Sequence, residues 1–444
     1  MLKDLTKQEG FALTDSEKIM VAGCAAGVAA ATAPAVYGYM KAVSKQPISD
    51  KDFLRAEGGE FVSECGEHIT LRGINLNDDL FWFKKSTLEK DAADYDVFAA
   101  LESRFGTYGA RLAVNNYYKN FISASDIKKI AKLGANCVRI PLRYKYLLSK
   151  ENCKGDIDFE QLDFLIEKCR KAGLYVILDL HSAPGFQNTD SACGKDGKSV
   201  LFSSSKDGFE ARNATIRLWT QIAAHYKDEP AVAAYDLLNR PLNRIAEWEK
   251  SLDTLHKFYR RLLKAIRTVD ERHTVIMEAA GAPATLPDAE IFKNENVAFG
   301  IYSHFYTTFE TNALLNEIRK FNGCGIPFVV CKLRAEDNLG SSLEALNDNG
   351  ISWLVGDYKG EGLKAAFLFG GSVPEADLDS DSHDEIIKKW SKPLATKNFT
   401  LNKEMADILK KAFKDRQISV EAPEKKVRKP KIKVRVGSKL IYGK

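Results

Sequence analysis

The sequence of 444 residues contains no Cys-x-x-Cys pair, although it has eight cysteines. These cysteines are scattered, and Cys137 and Cys331 lie within apolar runs, where a thiol usually acts as a small hydrophobic side chain. The pattern predicts no zinc site and favours a reducing, intracellular compartment. No glycine-rich phosphate loop follows the first strand candidate, which argues against a dinucleotide-binding sheet. We therefore expect neither a metal nor a cofactor.

Acidic residues are absent from residues 425–444, which hold nine lysines and arginines. The chain has a net charge of +5, so the rest carries 5 − 9 = −4. The basic character thus belongs to a tail, residues 416–444, in which residues 431–436 alternate basic and apolar side chains as a strand does. The alternatives for this tail are a flexible segment, a segment ordered by a partner's sheet or by an acidic partner, and a nucleic-acid contact. No RNA-binding fold is visible, which disfavours nucleic acid.

Charged residues are also absent from residues 19–40, a run about as long as a bilayer is thick. Gly23 and Gly27 have the spacing that allows close packing of membrane helices. The acidic residues before this run do not form the positive leader of a signal peptide, which disfavours the secretory pathway. We predict a membrane-spanning or membrane-packed helix within an N-terminal segment, residues 1–53. A targeting segment and a soluble alanine-rich helix are the alternatives.

Apolar runs of strand length alternate with amphipathic stretches between residues 54 and 415. Strands are predicted at residues 71–76, 137–142, 175–181, 232–239, 273–280, 297–305, 327–333 and 365–369. Helices are predicted at residues 125–133, 159–171, 209–226, 246–269, 313–321 and 343–349. Near-continuous apolar runs are typical of buried parallel strands, and eight repeats of strand and helix predict a (β/α)8 TIM barrel. A short hairpin at residues 61–71 precedes it.

Several motifs lie at the predicted strand ends, where barrel enzymes place their chemistry. They are Leu-Arg-Gly-Ile-Asn-Leu at 71–76, Cys-Val-Arg-Ile-Pro at 137–141, Asp-Leu-His-Ser-Ala-Pro-Gly-Phe-Gln-Asn at 179–188, Asn-Arg-Pro at 239–241 and His-Phe-Tyr at 304–306. In this order they resemble glycoside hydrolase family 5, especially its fungal exo-β-1,3-glucanase branch. The resemblance implies a barrel over residues 54–415. It also implies a sugar subsite lined by Arg139, His181, Asn239, His304 and Tyr306.

The sequence lacks both catalytic glutamates of that family. Arg240 stands at the position of the acid/base residue, and Lys332 stands at the position of the nucleophile. Glycosidases need two carboxyl groups, and an arginine cannot deliver the proton. Together with Arg139, these residues predict a cationic mouth that is either neutralised by internal carboxylates or occupied by an anion. The candidates for internal partners are Asp78, Asp79 and Asp236.

The main functional hypothesis is a catalytically inactive family 5 barrel, not an enzyme, that is a structural subunit of a membrane-associated assembly with protein partners. The predicted location is intracellular, on an organellar membrane, with the mitochondrion considered. One alternative is a non-catalytic module that binds a glucan or an anion in the old cleft. The other is an active β-glucanase with relocated acids, one of them supplied by Glu336 or Asp337.

Overall fold

The structure is a computed structural model. It describes residues 46–76, 83–85, 88, 92–147, 156–193, 195, 197–302, 308–321, 323–334, 338–362 and 367–414, together with the strands Lys433–Val436 and Lys439–Tyr442. The predicted apolar segment, residues 19–40, lies outside this range. Among the described residues, no helix has both the length and the apolar character needed to cross a membrane.

Eight parallel strands close into a barrel, each pairing with its neighbours in sequence and the last pairing with the first. We number them first to eighth. They are Arg72–Asn75, Cys137–Arg143, Tyr175–Ser182, Val232–Asp236, Thr274–Glu278, Val297–Tyr302, Phe328–Arg334 and Ser352–Gly356. Nearly all of their residues are buried, because helices cover the outer face while the inner face fills the barrel. The predicted TIM barrel is confirmed.

Helices follow the strands along the chain, and the six predicted helices all have counterparts. The α-helices are Asp94–Phe121, Ala124–Leu133, Tyr144–Leu147, Glu160–Lys171, Lys206–Tyr226, Leu252–Arg267, Ala289–Phe292, Thr308–Arg319, Leu339–Asp348, His383–Lys389 and Lys403–Lys414. The sequence did not predict the first of these, nor Tyr144–Leu147, Ala289–Phe292, His383–Lys389 and Lys403–Lys414. The first helix bends at Gly106, where φ is 68°. The bend interrupts the regular apolar periodicity on which helix prediction depends.

Local sequence signals explain where the helices begin and end. The helix Ala124–Leu133 begins after Ser123, whose backbone N–H donates to the Asp126 carboxylate at 2.8 Å. It ends at Gly134, which has a φ of 112° and lies against Phe413 of the last helix. A Cβ at position 134 would lie 2.9 Å from the Phe413 Cβ, so glycine serves both the turn and the close packing.

The prediction of an eighth strand at residues 365–369 is wrong. The eighth barrel strand is Ser352–Gly356, whereas Phe369–Gly371 pairs with Lys359–Glu361 and Thr400–Leu401 in a small separate sheet. The true strand has only five residues and follows the helix Leu339–Asp348 closely. In sequence an Asn-Asp-Asn-Gly segment separates it from the apolar part of that helix, and only the closure of the barrel identifies so short a run as the eighth strand.

The hairpin predicted before the barrel is also present. The strands Leu54–Glu57, Glu60–Ser63 and His68–Ile69 form an antiparallel sheet. Leu54 and Phe61 of this sheet pack against side chains of the barrel interior. At the other end of the chain, Lys433–Val436 pairs with Lys439–Tyr442 in an antiparallel hairpin, where alternation predicted a strand.

A buried lysine joins the long helix to the carboxyl-terminal part of the domain. Lys359 is fully buried, and its ammonium group donates to the carbonyl oxygens of Phe121 and Leu394 and to the Thr396 hydroxyl. It also lies 4.4 Å from the centroid of the Phe121 ring. Burial lowers the pKa of Lys359 to about 8. Its hydrogen bonds therefore compensate for a costly burial of charge.

We expect Lys359→Met to lower the free energy of unfolding by roughly 2–4 kcal/mol, because two buried carbonyl groups lose their donor. Urea denaturation monitored by tryptophan fluorescence measures this change. The exposed Lys397 provides the control, and Lys397→Met should change stability by less than about 0.5 kcal/mol. Equal denaturation midpoints for the two variants would contradict the role given to Lys359.

Candidate active site

A single buried arginine organises the barrel interior near its carboxyl-terminal mouth. Arg139, on the second barrel strand, is 1% exposed. Its Nη1 lies 3.0 Å from Asp179 Oδ2, and its Nη2 lies 2.7 Å from Asp236 Oδ2 and 2.8 Å from Glu278 Oε1. These three carboxyl groups come from the third, fourth and fifth strands, and all are fully buried. One guanidinium thus holds together carboxyl groups from three successive strands.

Three carboxyl groups around one guanidinium leave an excess of negative charge. Burial raises the pKa of Asp236 well above its usual value, the nearby Glu278 raises it further, and Arg139 opposes the shift. Burial likewise raises the pKa of Glu278, again against the effect of Arg139. Carboxyl oxygens of Asp236 and Glu278 lie within 4.8 Å of each other, close enough to disfavour ionisation of both groups. The two groups therefore titrate as a pair.

The same cluster contains two more of the predicted site residues. His181 Nδ1 lies 2.6 Å from Asp179 Oδ2, and Asn239 Oδ1 accepts from Arg139 Nη2 at 3.2 Å. The Asn239 side-chain amide lies 3.4 Å from His181 Nε2. A neutral imidazole protonated on Nδ1 satisfies both of its contacts. The structure thus brings Arg139, His181 and Asn239 together. His304 and Tyr306 lie outside the described residues.

The side chain of Arg240, at the family's acid/base position, contacts Asp190 and Tyr302. Arg240 has a left-handed backbone with a φ of 49°. Its Nη2 lies 2.9 Å from Asp190 Oδ2, and its guanidinium carbon lies 4.3 Å from the centroid of the Tyr302 ring. The backbone N–H of Arg240 donates to Glu278 Oε2 at 2.7 Å. A carboxyl group from the neighbouring strand therefore reaches the backbone at this position.

A similar arrangement surrounds the residue at the nucleophile position. Lys332, on the seventh strand, is 1% exposed, and its Nζ lies 2.9 Å from Asp357 Oδ1. Asp357 directly follows the eighth strand and has a side chain that is 12% exposed. The prediction that internal carboxylates neutralise the cations is therefore confirmed. Asp236 is one of the predicted partners and pairs with Arg139, whereas Asp190 and Asp357, the partners of Arg240 and Lys332, were not predicted. Asp78 and Asp79 lie outside the described residues.

Sequence reasoning missed three of these carboxyl groups. Glu278 ends the fifth strand, and an acid at a strand end is a signal that could have identified it. Asp357 was missed because the eighth strand was misplaced. Asp190 lies in a loop and carries no signal in the sequence.

The donor types near the barrel axis raise the question of a metal. Asp236, Glu278 and Cys331 are the group of metal-ligand types that lie close together within the described part of the chain. Arg139 already binds both carboxyl groups, and burial raises the pKa of the Cys331 thiol well above its usual value. A cation would have to compete with the guanidinium for both carboxyl groups. We assign no metal to this cluster.

A model of the cellulase family, glycosyl hydrolase family 5, matches residues 91–367. A β-xylosidase of Phanerodontia chrysosporium is 30% identical over 268 residues, which make up 58% of this chain and 52% of that protein. A glucan 1,3-β-glucosidase of Blumeria graminis is 31% identical over 218 residues, or 47% of this chain and 49% of that protein. The chain thus spans about half the length of these curated relatives.

A solved structure supports the assignment of the fold. An endogalactoceramidase crystal structure superposes with a TM-score of 0.54 and 17% identity, covering 81% of this chain and 84% of that chain. The prediction that the chain is not an enzyme is contradicted, because the matching family and the relatives named for hydrolase activities point to a glycoside hydrolase. The replacement of two glutamates does not by itself show inactivity.

We expect Arg139→Met to lower the free energy of unfolding by roughly 3–5 kcal/mol at pH 8, because it leaves buried carboxylates without their cation. The loss should be smaller at pH 5. In the folded variant the pKa values of these carboxyl groups are raised further, so stability returns as falling pH protonates them. Urea denaturation at the two pH values measures this difference.

The double variant Arg139→Met/Asp236→Asn provides the matched comparison. It removes one of the carboxyl groups left without a cation and should recover part of the stability lost at pH 8. A penalty for Arg139→Met that is the same at both pH values, or no recovery in the double variant, would contradict the proposed charge balance.

Proposed function

Because the chain belongs to glycosyl hydrolase family 5, we propose that it hydrolyses terminal β-linked glucose or xylose residues with relocated acids. The substrate class is proposed from the relatives named β-xylosidase and glucan 1,3-β-glucosidase. The reaction would occur at the carboxyl-terminal mouth of the barrel, where family members place their chemistry.

One observation carries the proposal: a carboxyl group from the next strand accompanies each cation that replaces a family glutamate. Glu278 of the fifth strand lies beside Arg240, which follows the fourth. Asp357, after the eighth strand, lies beside Lys332 of the seventh. Both carboxyl groups are displaced by one strand in the same direction around the barrel. Each original position thus has a carboxyl group beside it, and in this proposal these two groups supply the pair of acids that glycoside hydrolysis needs.

We assign the role of general acid to Glu278. A glycosidase acid must hold its proton until the leaving oxygen takes it, and this requires a raised pKa. Burial raises the pKa of Glu278, although Arg139 and the Arg240 N–H favour its charged form. Its 2.7 Å bond to the backbone N–H of Arg240 places the carboxyl group beside the family's acid/base position.

We assign the second carboxyl role to Asp357. It is more exposed than Glu278, and its ion pair with Lys332 stabilises a carboxylate. An anion at this place can attack the anomeric carbon or activate a water molecule. Carboxyl groups about 5 to 5.5 Å apart give retention, and wider pairs give inversion. The anomeric form of the first product, read by proton NMR, distinguishes the two.

The predicted protein partners, organellar membrane association and basic-tail contacts stay predictions. Residues 19–40 lie outside the described range, and the side chains of the tail are not described. A loop carboxylate from Glu336 or Asp337 also stays a prediction, since both residues follow the seventh strand outside that range.

We expect the protein to release sugar from aryl β-glucosides, aryl β-xylosides or laminaribiose. Glu278→Gln and Asp357→Asn should each lower kcat/KM at least about 100-fold, because each removes one of the two carboxyl functions. The exposed Asp207 provides a control, and Asp207→Asn should leave hydrolysis unchanged. Glu336→Gln and Asp337→Asn test the loop acids in parallel.

Other outcomes reject the proposal in different ways. Turnover that survives both Glu278→Gln and Asp357→Asn would reject these two acids. Calorimetric binding of laminari-oligosaccharides without release of sugar would reject hydrolysis and identify a glucan-binding module. If none of these sugars gives binding heat or turnover, the proposed substrate class is rejected.

A further inference from the structure

The loop after the fourth barrel strand has an unusual backbone. Arg240, Leu242 and Arg244 have φ values of 49°, 64° and 55°, in the left-handed region that residues other than glycine rarely adopt. Such residues persist only where their surroundings impose the conformation, and they are concentrated at functional sites. The cause of this backbone is therefore expected in the elements that contact residues 240–244.

The loop after the third strand imposes this backbone. The Asn188 side-chain amide donates to the Arg240 carbonyl oxygen at 2.8 Å, and the Leu242 N–H donates to the Gln187 carbonyl oxygen at 2.9 Å. The Thr189 hydroxyl donates to the Arg244 carbonyl oxygen, also at 2.8 Å. Every left-handed residue of the run is thus bonded to a residue between 187 and 189.

Asp190 joins the two loops through side chains. Its Oδ2 lies 2.9 Å from Arg240 Nη2 and accepts from the Asn243 side-chain amide at 3.2 Å. The Asp190 side chain is 8% exposed, so these contacts form where water does not compete strongly. The third-strand loop therefore fixes Arg240 at both ends, through its carbonyl group and through its guanidinium.

We propose that Asp190 is a positioning residue that, through Arg240, holds the Arg240 backbone N–H on the Glu278 carboxyl group. The inference rests on the proposed role of Glu278 as the acid. Arginine suits this position because its side chain reaches Asp190 and packs on Tyr302, while its backbone stays beside Glu278. The replaced glutamate position thus keeps a function as an anchor for the acid of the next strand.

The hydrogen bond from the Arg240 N–H stabilises the charged form of the Glu278 carboxyl group. A donor held at 2.7 Å favours the ionised carboxylate, so it limits how far burial raises the pKa of Glu278. Other titratable groups near Glu278 belong to other elements. They are Arg139, Asp179, Asp236, Tyr259 and Cys331. Asp190 pairs with the Arg240 guanidinium, and the Arg240 N–H bonds the Glu278 carboxyl group, so a change at Asp190 should reach Glu278 through Arg240.

The test is a pH titration of Glu278 in the full chain. Carbon-13 NMR of protein labelled at the glutamate carboxyl carbon monitors this titration. The spectrum of Glu278→Gln identifies the signal. Asp190→Asn should raise the pKa of Glu278 by about one unit, because a displaced Arg240 N–H no longer stabilises the carboxylate. Asp190→Glu, which restores the charge, should recover part of the shift.

Arg244→Gln is the matched control. Arg244 Nε lies 4.0 Å from the same Asp190 oxygen, but its side chain is 66% exposed and does not contact Glu278. This variant should leave the Glu278 titration unchanged. An unchanged titration in Asp190→Asn would overturn the proposal. If Asp190→Asn does not fold, Arg240→Ala removes the same anchor while keeping the backbone N–H, and the same upward shift is expected.

The titration does not depend on turnover, which separates this inference from the proposed function. A shift in a protein that hydrolyses no glycoside would reject the enzymatic role and keep the positioning role. Turnover that depends on Glu278, with no shift in Asp190→Asn, would keep the acid and reject the positioning role.

Discussion

The buried ion cluster around Arg139 is the interaction on which the mouth of this barrel depends. Taking a charge out of water costs several kcal/mol unless it is paired and hydrogen-bonded. Asp179, Asp236 and Glu278 share one guanidinium, so strands two to five are joined on the inside as well as through their backbones. Asn239 accepts a further bond from the same group. The side chains near the mouth are therefore placed relative to a rigid charged centre.

Charge balance explains how the mouth accommodates two cations where the family has glutamates. Arg240 pairs with Asp190, and Lys332 pairs with Asp357, so neither replacement leaves an isolated positive charge. Each cation has a carboxylate from another element beside it. In a low-dielectric site, such compensation is required for folding before any question of catalysis arises.

The rim of the barrel links this balance to backbone geometry. The left-handed residues from Arg240 to Arg244 are held by the third-strand loop, and Asp190 completes that contact. The interior cluster and the rim then meet at Glu278, which accepts from Arg139 on one side and from the Arg240 N–H on the other. The position and charge of the Glu278 carboxyl group thus depend on both the buried ion cluster around Arg139 and the loops at the rim.

The sequence alone determined the barrel, because buried parallel strands are continuous apolar runs. The family resemblance of its strand-end motifs implied the meeting of Arg139, His181 and Asn239. It also showed that Arg240 and Lys332 replace acids. The strand Ser352–Gly356 and the contacts of Glu278, Asp357 and Asp190 were decided only by the tertiary structure. A short run becomes a strand when the barrel closes on it. A carboxyl group pairs with a side chain on an adjacent element. Contacts between residues that are distant in sequence decide which elements are adjacent.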